Sequence, residues 1–279
     1  MSVPDMPGVY PGTTRQDYEA IQAINYSTLK WFRKSPAHAK RQIDKPAAPT
    51  EEMVLGTAFH TAVLEPDRFD ERYAVAPKVD RRTKDGKETW KTFQESNVGK
   101  TLINEFDYEV LLAMTRRLSS HPEAKAMLTA KGHNEVAVVW IDQDTGLLCK
   151  ALMDRITTTN IGTVVLDLKT TTDASPKGFA REIAKHHYHA QAAWYLNGLY
   201  SLANALRMFV FAAIEKEAPY GCGVYRLDPD SLQQGRQLCR LWLDQYARCK
   251  ETNNWPCYSD DLEVITLPRW AFTENNDEF

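Results

Sequence analysis

The sequence predicts an α/β fold, a single domain of strands and helices with helical additions on its N-terminal side. The chain has 279 residues, which is enough to bury a large core. Apolar residues recur at helical spacing before Gly132, whereas alternation typical of strands begins after it. Three predicted strands, then helices, further strands and a long helix follow Gly132, an order typical of a layered α/β domain.

Composition and charge exclude several classes of protein. Hydrophobic residues make up 43% and charged residues 25%, which excludes a fibrous or wholly disordered chain. No apolar run of about 18 residues is present, so we expect no transmembrane helix, and the N-terminus lacks the apolar stretch of a signal peptide. The five cysteines are scattered, which favours reduced thiols in a cytoplasmic protein. The net charge of −3 argues weakly against nucleic acid, although a local basic patch can still bind phosphates.

The first half of the chain is predicted to be mostly helical. Residues 1–24 are predicted to form a flexible arm, and a helix is expected from Thr50 onward because acidic residues follow at its positive end. The cation-rich stretch 78–100 is predicted to be an element that lines a DNA channel or opens a DNA end, with a solvated loop as an equal alternative, and Asp85–Gly86 is predicted to mark a turn in it. A short strand is predicted over 72–76, and further helices over 102–118 and 121–130.

The second half is predicted to supply the sheet. Alternation from Val136 to Trp140 predicts a strand, and turn residues lead from it into a second strand over 147–156, so these two are expected to form a hairpin. The remaining elements are predicted as a strand over 163–169, helices over 176–185 and 188–205, strands over 208–214 and 221–227, and a helix over 228–250. The residues 273–279 are predicted to be a frayed acidic tail.

Asp167 and Lys169 are the strongest candidates for chemistry, at the end of a predicted strand. Side chains two residues apart on a strand share a face, so the carboxylate and the ammonium are expected to project together. Asp154 lies near the end of the preceding strand, which would bring two carboxylates close to each other. Converging carboxylates repel unless a cation lies between them, and Mg²⁺ prefers oxygen ligands. This pattern predicts metal-assisted hydrolysis of a phosphodiester, with Lys169 orienting or deprotonating water, although an isolated Asp-x-Lys is often only a solvated strand edge.

Other residues are candidates for the same site, each with a structural alternative. His60 could complete a metal shell or contact the scissile phosphate, or be a core histidine. Gln191 and Tyr195 lie one helical turn apart and could position the lysine and a phosphate, or reflect amphipathic patterning. Glu135 could add a carboxylate or be an exposed strand end. Candidates for DNA binding, for which a solvated loop is an equal alternative, are Arg81, Arg82, Lys84 and Lys87.

Taken together, these residues resemble a known family. The pattern of RecB-type PD-(D/E)xK nucleases is similar to the ordered set Gly56-x-x-x-His60, Glu135, Asp154, Asp167-x-Lys169 and Gln191-x-x-x-Tyr195. Longer stretches resemble the C-terminal nuclease domain of the RecE (exonuclease VIII) family, namely Leu55–His60, Leu64–Pro66, Arg81–Thr83, Thr145–Cys149, Asp167–Thr171, Tyr188–Gln191 and Leu267–Ala271. The resemblance departs from the family pattern at Ala151, where many RecB-type nucleases have a glycine.

The resemblance implies a restriction-endonuclease-like core, with a central mixed sheet flanked by helices, in one nuclease domain over 25–272. It implies a Mg²⁺-dependent exonuclease, with Mn²⁺ expected to substitute, that degrades linear double-stranded DNA from 5′ ends and leaves 3′ single strands for annealing recombination. It also implies a homotetrameric ring and a RecT-like annealing partner in a bacterial or phage-infected cell. The alternatives are a related endonuclease or single-strand nuclease, a catalytically degenerate DNA-binding protein, and a metalloenzyme acting on small phosphoesters.

The resemblance also implies a role for each candidate residue. Asp154, Asp167 and the Leu168 carbonyl would hold the metal, with His60 as a further ligand or a partner beside it. Lys169 would activate water and Glu135 would assist metal or water binding. The lysine and the phosphate would be positioned by Gln191 and Tyr195.

Overall fold

The computed structural model describes residues 6–160, 162–203 and 207–272. The predicted tail over 273–279 lies outside the described residues, as do the first five residues of the predicted arm and the last two of the predicted helix 188–205. Within the described ranges, no helix combines the length and apolar character needed to cross a membrane.

Strands and helices alternate along the described chain, which confirms the predicted α/β class. The strands are β1 (Gly8–Tyr10), β2 (Ile24–Asn25), β3 (Tyr73–Ala76), β4 (Thr101–Asn104), β5 (Gly132–Ile141), β6 (Leu148–Thr159), β7 (Gly162–Thr171), β8 (Met208–Glu215) and β9 (Cys222–Arg226). The helices are α1 (Arg15–Ala20), α2 (Tyr26–Leu29), α3 (Pro36–Asp44), α4 (Glu51–Leu64), α5 (Phe69–Arg72), α6 (Lys84–Ser96), α7 (Glu105–Ser120), α8 (Pro122–Thr129), α9 (Pro176–His186), α10 (Tyr188–Ala203) and α11 (Pro229–Thr252). Short 3₁₀ helices cover Lys30–Arg33, Pro66–Arg68 and Arg269–Phe272.

The central sheet is mixed. Its strand order is β1-β5-β6-β7-β8-β9, and β2 pairs with β6 beside that path. β5, β6 and β7 are antiparallel neighbours, whereas β7 and β8 run parallel and are joined through α9 and α10, because parallel strands need a crossover connection. A separate pair, β3 and β4, is parallel.

Helices cover both faces of this sheet, which explains why its strands are nearly continuously apolar. On one face, Trp140 of β5 packs against Trp194 of α10, with ring centroids 5.0 Å apart. On the other face, Leu166 of β7 packs in one cluster with Phe59 of α4 and Met114 of α7. The central strands therefore have little freedom to move, and side chains fixed to them are held rigidly.

The prediction of a flexible arm is wrong for the described residues before position 25. β1 pairs antiparallel with β5, with Gly8 opposite Val139. The buried Lys150 of β6 donates hydrogen bonds of 2.8 Å to the carbonyls of Tyr18 and Ile21, so its charge lies at the C-terminal end of α1. These contacts join residues far apart in sequence, which is why composition alone indicated a mobile segment.

The predicted turn at Asp85–Gly86 is also wrong, because α6 occupies much of the stretch 78–100. The Thr83 side chain caps α6 by accepting a hydrogen bond from the Gly86 amide at 3.0 Å. The Asp85–Gly86 pair therefore lies in the first turn of a helix and not in a loop turn. A Cβ at position 86 would lie 2.0 Å from the Asp80 carbonyl oxygen, so glycine is required there by close packing. The helix predicted over 102–118 begins only at Glu105, after β4.

We predict that an ion pair between Asp142 and Arg240 makes stability depend on pH below about pH 5. Burial would raise the pKa of Asp142, but hydrogen bonds from Thr145 and Arg240 outweigh burial and lower it. Because the folded pKa lies below the unfolded value of about 3.9, the carboxylate stabilises the fold above that value and less as pH falls through the folded pKa. Asp142→Asn should lower the free energy of unfolding by about 1–2 kcal/mol at pH 7.

The difference between wild type and Asp142→Asn should shrink in urea titrations as pH falls from the unfolded value of about 3.9 through the folded pKa. The matched control is Asp144→Asn, because Asp144 also contacts Arg240 but its side chain is 77% exposed. This control should change stability by about 0.5 kcal/mol or less over the same pH range. An equal loss in both variants would contradict the assignment.

Candidate active site

β6 and β7 separate from each other at the candidate site. Their pairing ends with Arg155 opposite Leu166. Beyond that pair, the Leu168 amide donates a 2.7 Å hydrogen bond to Asp154 Oδ2. A side chain of β6 therefore replaces the backbone of β6 as the partner of β7 where the pairing between the two strands ends. β7 continues along β8, while the start of β6 pairs with β2 instead. The fork between the two strands places the side chains of Asp154 and Asp167 around one opening.

Asp167 and Lys169 project from the same face of β7, as their spacing predicted. The Lys169 ammonium is ion-paired with Asp167 Oδ2, and the two side chains are 14% and 2% exposed. Gln191 Nε2 donates to the other carboxylate oxygen, Oδ1, at 3.0 Å. The prediction that the pair ends its strand is wrong, because β7 runs on to Thr171. The pairing of β7 with β6, and not β7 itself, ends next to Asp167.

His60 lies between two of the candidate metal ligands. From α4, its Nε2 is 3.0 Å from the Leu168 carbonyl oxygen and its Nδ1 is 3.3 Å from Asp154 Oδ1. Burial would lower the pKa of His60, but the Asp154 carboxylate outweighs burial and raises it. Both ring nitrogens face acceptors, which favours the doubly protonated imidazolium. His60 therefore belongs to the polar site and not to the apolar core.

The two aspartates differ in their protonation behaviour. Burial raises the pKa of Asp167 to about 6; the Lys169 ammonium opposes this rise and the Asp154 carboxylate adds to it. Burial acts on Asp154 as well, but the charge and hydrogen bond of His60 lower the pKa of that carboxyl. Two buried carboxylates around one opening repel each other, so the opening favours a positive charge between them.

The donor set at the fork fits a hard divalent cation such as Mg²⁺. It offers the carboxylates of Asp154 and Asp167 together with the Leu168 carbonyl, all oxygen donors. Asp167 Oδ2 is buried and receives no hydrogen bond of ordinary geometry, although the Lys169 ammonium lies against it. In the described part of the chain, no three His, Cys, Asp or Glu side chains converge closely enough to hold a metal by themselves. One donor of the candidate set would accordingly come from the main chain.

Glu135 occupies an irregular position in β5. It lies between the pairs Asn134–Arg155 and Val136–Met153, across from Asp154, and has a left-handed φ of 48°. Burial raises the pKa of Glu135 to about 7, and the Asp154 carboxylate contributes. Glu135 is therefore a third carboxyl group near the fork, and the alternative of an exposed strand end is excluded.

Tyr195 lies beside Gln191 on α10. The two side chains are neighbours, and burial raises the pKa of Tyr195 well above its ordinary value. The Tyr195 ring packs edge-on against Phe209 of β8, with centroids 6.0 Å apart. This arrangement lets Tyr195 support Gln191, which in turn holds Asp167.

The four cations predicted to bind DNA are not joined to the fork. The Arg81 guanidinium lies 3.5 Å from the centre of the Trp90 ring, so it stabilises the start of α6. Arg82, Lys84 and Lys87 are exposed. Within the described ranges, no hydrogen bond, ion pair or ring contact links any of these four residues to Asp154 or Asp167.

Tyr188 is a residue of the site to which the sequence assigned no role, although it lies in the stretch Tyr188–Gln191 that resembles the RecE family. The Lys169 ammonium lies 4.8 Å from the centre of its ring, at the first residue of α10. Because Tyr188 precedes Gln191 by three residues, helical spacing places both on one face. The three-residue spacing from Gln191 was the feature of the sequence that could have indicated Tyr188 as a site residue.

The forked mixed sheet with Asp154 and the Asp167-x-Lys169 triplet defines a PD-(D/E)xK nuclease domain. The chain belongs to the family described as PDDEXK-like domain of unknown function (DUF3799), which matches residues 25–268.

Two solved structures are similar to this chain. One, described as "Putative exonuclease" from Eubacterium rectale, is 12% identical, covers 95% of this chain and 99% of that chain, and has a TM-score of 0.60, so the two share a fold. The other, SSO0001, is 14% identical over 69% of this chain and 86% of that chain; at a TM-score of 0.29 it supports no inference. No curated protein matches the sequence.

We predict that the left-handed backbone at Glu135 costs stability. Glu135→Gly and Glu135→Ala both remove the carboxylate, but only glycine adopts a positive φ without strain. The glycine variant should be more stable than the alanine variant by about 0.5–1 kcal/mol in urea unfolding. An alanine variant that equals or exceeds the glycine variant would show that the left-handed conformation is not a source of strain.

Proposed function

We propose that this protein is a Mg²⁺-dependent exonuclease that degrades linear double-stranded DNA from 5′ ends and leaves 3′ single strands. The observation that carries the proposal is the fork, where Asp154, Asp167 and Lys169 meet in one buried opening. The choice of duplex ends and the polarity follow from the resemblance to the RecE family. Family membership supports the nuclease class to which the proposal belongs.

Asp154, Asp167 and the Leu168 carbonyl would hold Mg²⁺. His60 would be a partner beside the metal, or a further ligand once a ring nitrogen has lost its proton. When bound, Mg²⁺ would stabilise negative charge that develops on the scissile phosphate. Lys169, held between Asp167 and the Tyr188 ring, would orient the attacking water and stabilise the same charge.

The remaining site residues would act on these groups. Gln191 fixes Asp167 by its hydrogen bond to Oδ1, and Tyr195 supports Gln191. Glu135 would assist metal or water binding from across the fork. Mn²⁺ is expected to substitute for Mg²⁺ because it also accepts oxygen ligands.

A homotetrameric ring that passes its product strand to a RecT-like annealing protein is part of the same proposal. A ring would reconcile a net charge of −3 with DNA binding, since basic residues could line the hole while acidic residues face outward. The segment after α11 supports a protein contact, because Leu262, Val264 and Ile265 are almost fully exposed there.

We predict metal-dependent release of 5′ label from linear duplex DNA, with the 3′ strand surviving. The substrate is labelled separately at each end and incubated with Mg²⁺, Mn²⁺ or EDTA beside a closed circle. Cutting of the circle would instead indicate an endonuclease, and cutting of free single strands alone a single-strand nuclease. Absence of cleavage would indicate a degenerate DNA-binding protein, unless a chromogenic phosphate ester is hydrolysed.

Asp167→Ala and Lys169→Ala test the assignment of the site. Each should lower the cleavage rate by about 10²–10⁴-fold, the range for removing a positioned catalytic group. The matched control is Lys125→Ala, which removes an exposed lysine on α8 and should cleave at the wild-type rate. Wild-type cleavage by either site variant would make the assignment wrong.

We further predict that exposed cations at the start of α6 and just before it bind phosphates. The triple charge reversal Arg82→Glu, Lys84→Glu and Lys87→Glu should weaken duplex binding and reduce the slope of log Kd against log salt by about 0.9 for each phosphate that the protein no longer neutralises. Arg81 is left unchanged because it packs on Trp90. Lys125→Glu is the control, and an unchanged salt slope in the triple variant would contradict a role for α6.

A further inference from the structure

The segment formed by α2 and the 3₁₀ helix after it, Tyr26 to Arg33, is attached to the junction between α9 and α10. Tyr26 Oη donates a 2.6 Å hydrogen bond to the His187 carbonyl oxygen. Arg33 Nη1 makes a longer contact, 3.4 Å, with the Lys185 carbonyl oxygen. The next residue after this junction is Tyr188, whose ring lies under the Lys169 ammonium. The segment between Tyr26 and Arg33 is therefore held close to the site.

Lys30 lies in the same segment as Tyr26 and Arg33, the two residues that contact the junction. It follows Tyr26 by one helical turn and precedes Arg33 by three residues, so the three share a side of the segment. Lys30 is half-buried, and in the described ranges its ammonium forms no hydrogen bond or ion pair.

The charged neighbours of Lys30 have the wrong sign to stabilise it. Burial lowers the pKa of Lys30, and the positive charges of Arg33 and Lys169 lower it further. Lys169 is itself paired with Asp167, so its ammonium has a carboxylate partner, whereas Lys30 has none among the described residues. A half-buried cation that faces other cations destabilises the fold unless an anion binds there.

We propose that Lys30, together with Arg33, binds a phosphate of the substrate strand next to the phosphate at the carboxylates. This inference rests on the proposed nuclease function and adds a positioning subsite to it. The ligand chemistry is a phosphate group, either the terminal 5′ phosphate or an internucleotide phosphate. Arg33 is exposed and its contact with the Lys185 carbonyl is long, so its guanidinium has donors left for such an anion.

The test measures binding of a short fluorescent single-stranded oligonucleotide, in Ca²⁺ so that the strand is not cut. One oligonucleotide has a 5′ phosphate and the other a 5′ hydroxyl. Lys30→Met keeps the apolar stem and removes the charge, and Lys30→Arg keeps the charge. The matched control is Lys34→Met, because the exposed Lys34 lies in the same segment with its ammonium over the Trp31 ring, 5.2 Å from the ring centre.

Lys30→Met should raise Kd about tenfold and reduce the salt slope by about 0.7, the value for one phosphate of a single strand. Lys30→Arg should stay within about threefold of wild type, since the charge-assisted contact remains. Lys34→Met should bind as wild type does. If Lys30→Met binds as wild type does, or if Lys34→Met loses as much affinity as Lys30→Met, the subsite is overturned.

The two oligonucleotides distinguish the sources of the phosphate. A preference of wild type for the 5′-phosphorylated strand that disappears in Lys30→Met assigns the subsite to a terminal phosphate. An equal loss of affinity for both strands assigns it to an internucleotide phosphate.

Stability separates a binding role from a structural one. Lys30→Met should melt no lower than wild type, because it removes a half-buried ammonium that faces other cations. A lower melting temperature with an unchanged Kd would assign Lys30 to the fold and overturn the proposal. If wild type neither binds the strand nor cleaves linear duplex DNA, the proposed function is overturned and the subsite with it. If wild type binds the strand and Lys30→Met binds it with the same Kd, only the subsite is overturned.

Discussion

The repulsion between two buried carboxylates is the constraint on which the arrangement of the site depends. At the fork, Asp154 accepts a hydrogen bond from the Leu168 amide. Asp167 is held by a hydrogen bond from Gln191 and by an ion pair with Lys169. Each of these contacts supplies a hydrogen-bond donor or a positive charge to one of the two carboxylates. The fork is therefore both a break in the β-ladder and the feature that keeps the two acids in one opening.

A rigid sheet makes this unfavourable arrangement tolerable. Helices bury both faces of the strands that carry the acids, and α4 and α10 bring His60 and Gln191 over the fork from the covering layers. Features that destabilise the fold collect at the same place, including the left-handed backbone of Glu135 and the half-buried ammonium of Lys30 beside other cations. Unfavourable features that are retained together at one site are typical of a functional constraint.

Local patterns predicted what depends on local spacing. The shared face of Asp167 and Lys169 follows from the period of a strand, and the contact between Gln191 and Tyr195 follows from the turn of a helix. The pairing of β1 with β5 could not be predicted in this way, because its partners lie more than a hundred residues apart. At α6 two local signals competed, and the cap supplied by Thr83 outweighed the turn tendency of the Asp-Gly pair.

The charges of the site are complementary to a pair of ligands and not to either one alone. Beside Lys169, the carboxylates of Asp154 and Asp167 repel each other and so favour a cation, whereas the proposed subsite of Lys30 and Arg33 would favour an anion. A divalent cation bound alone would leave Lys30 facing only other cations, and a phosphate bound alone would meet the repulsion of the two acids. Under the proposed function, a metal ion and a phosphodiester strand bound together would neutralise both sides, so the charge pattern would favour simultaneous binding of the two.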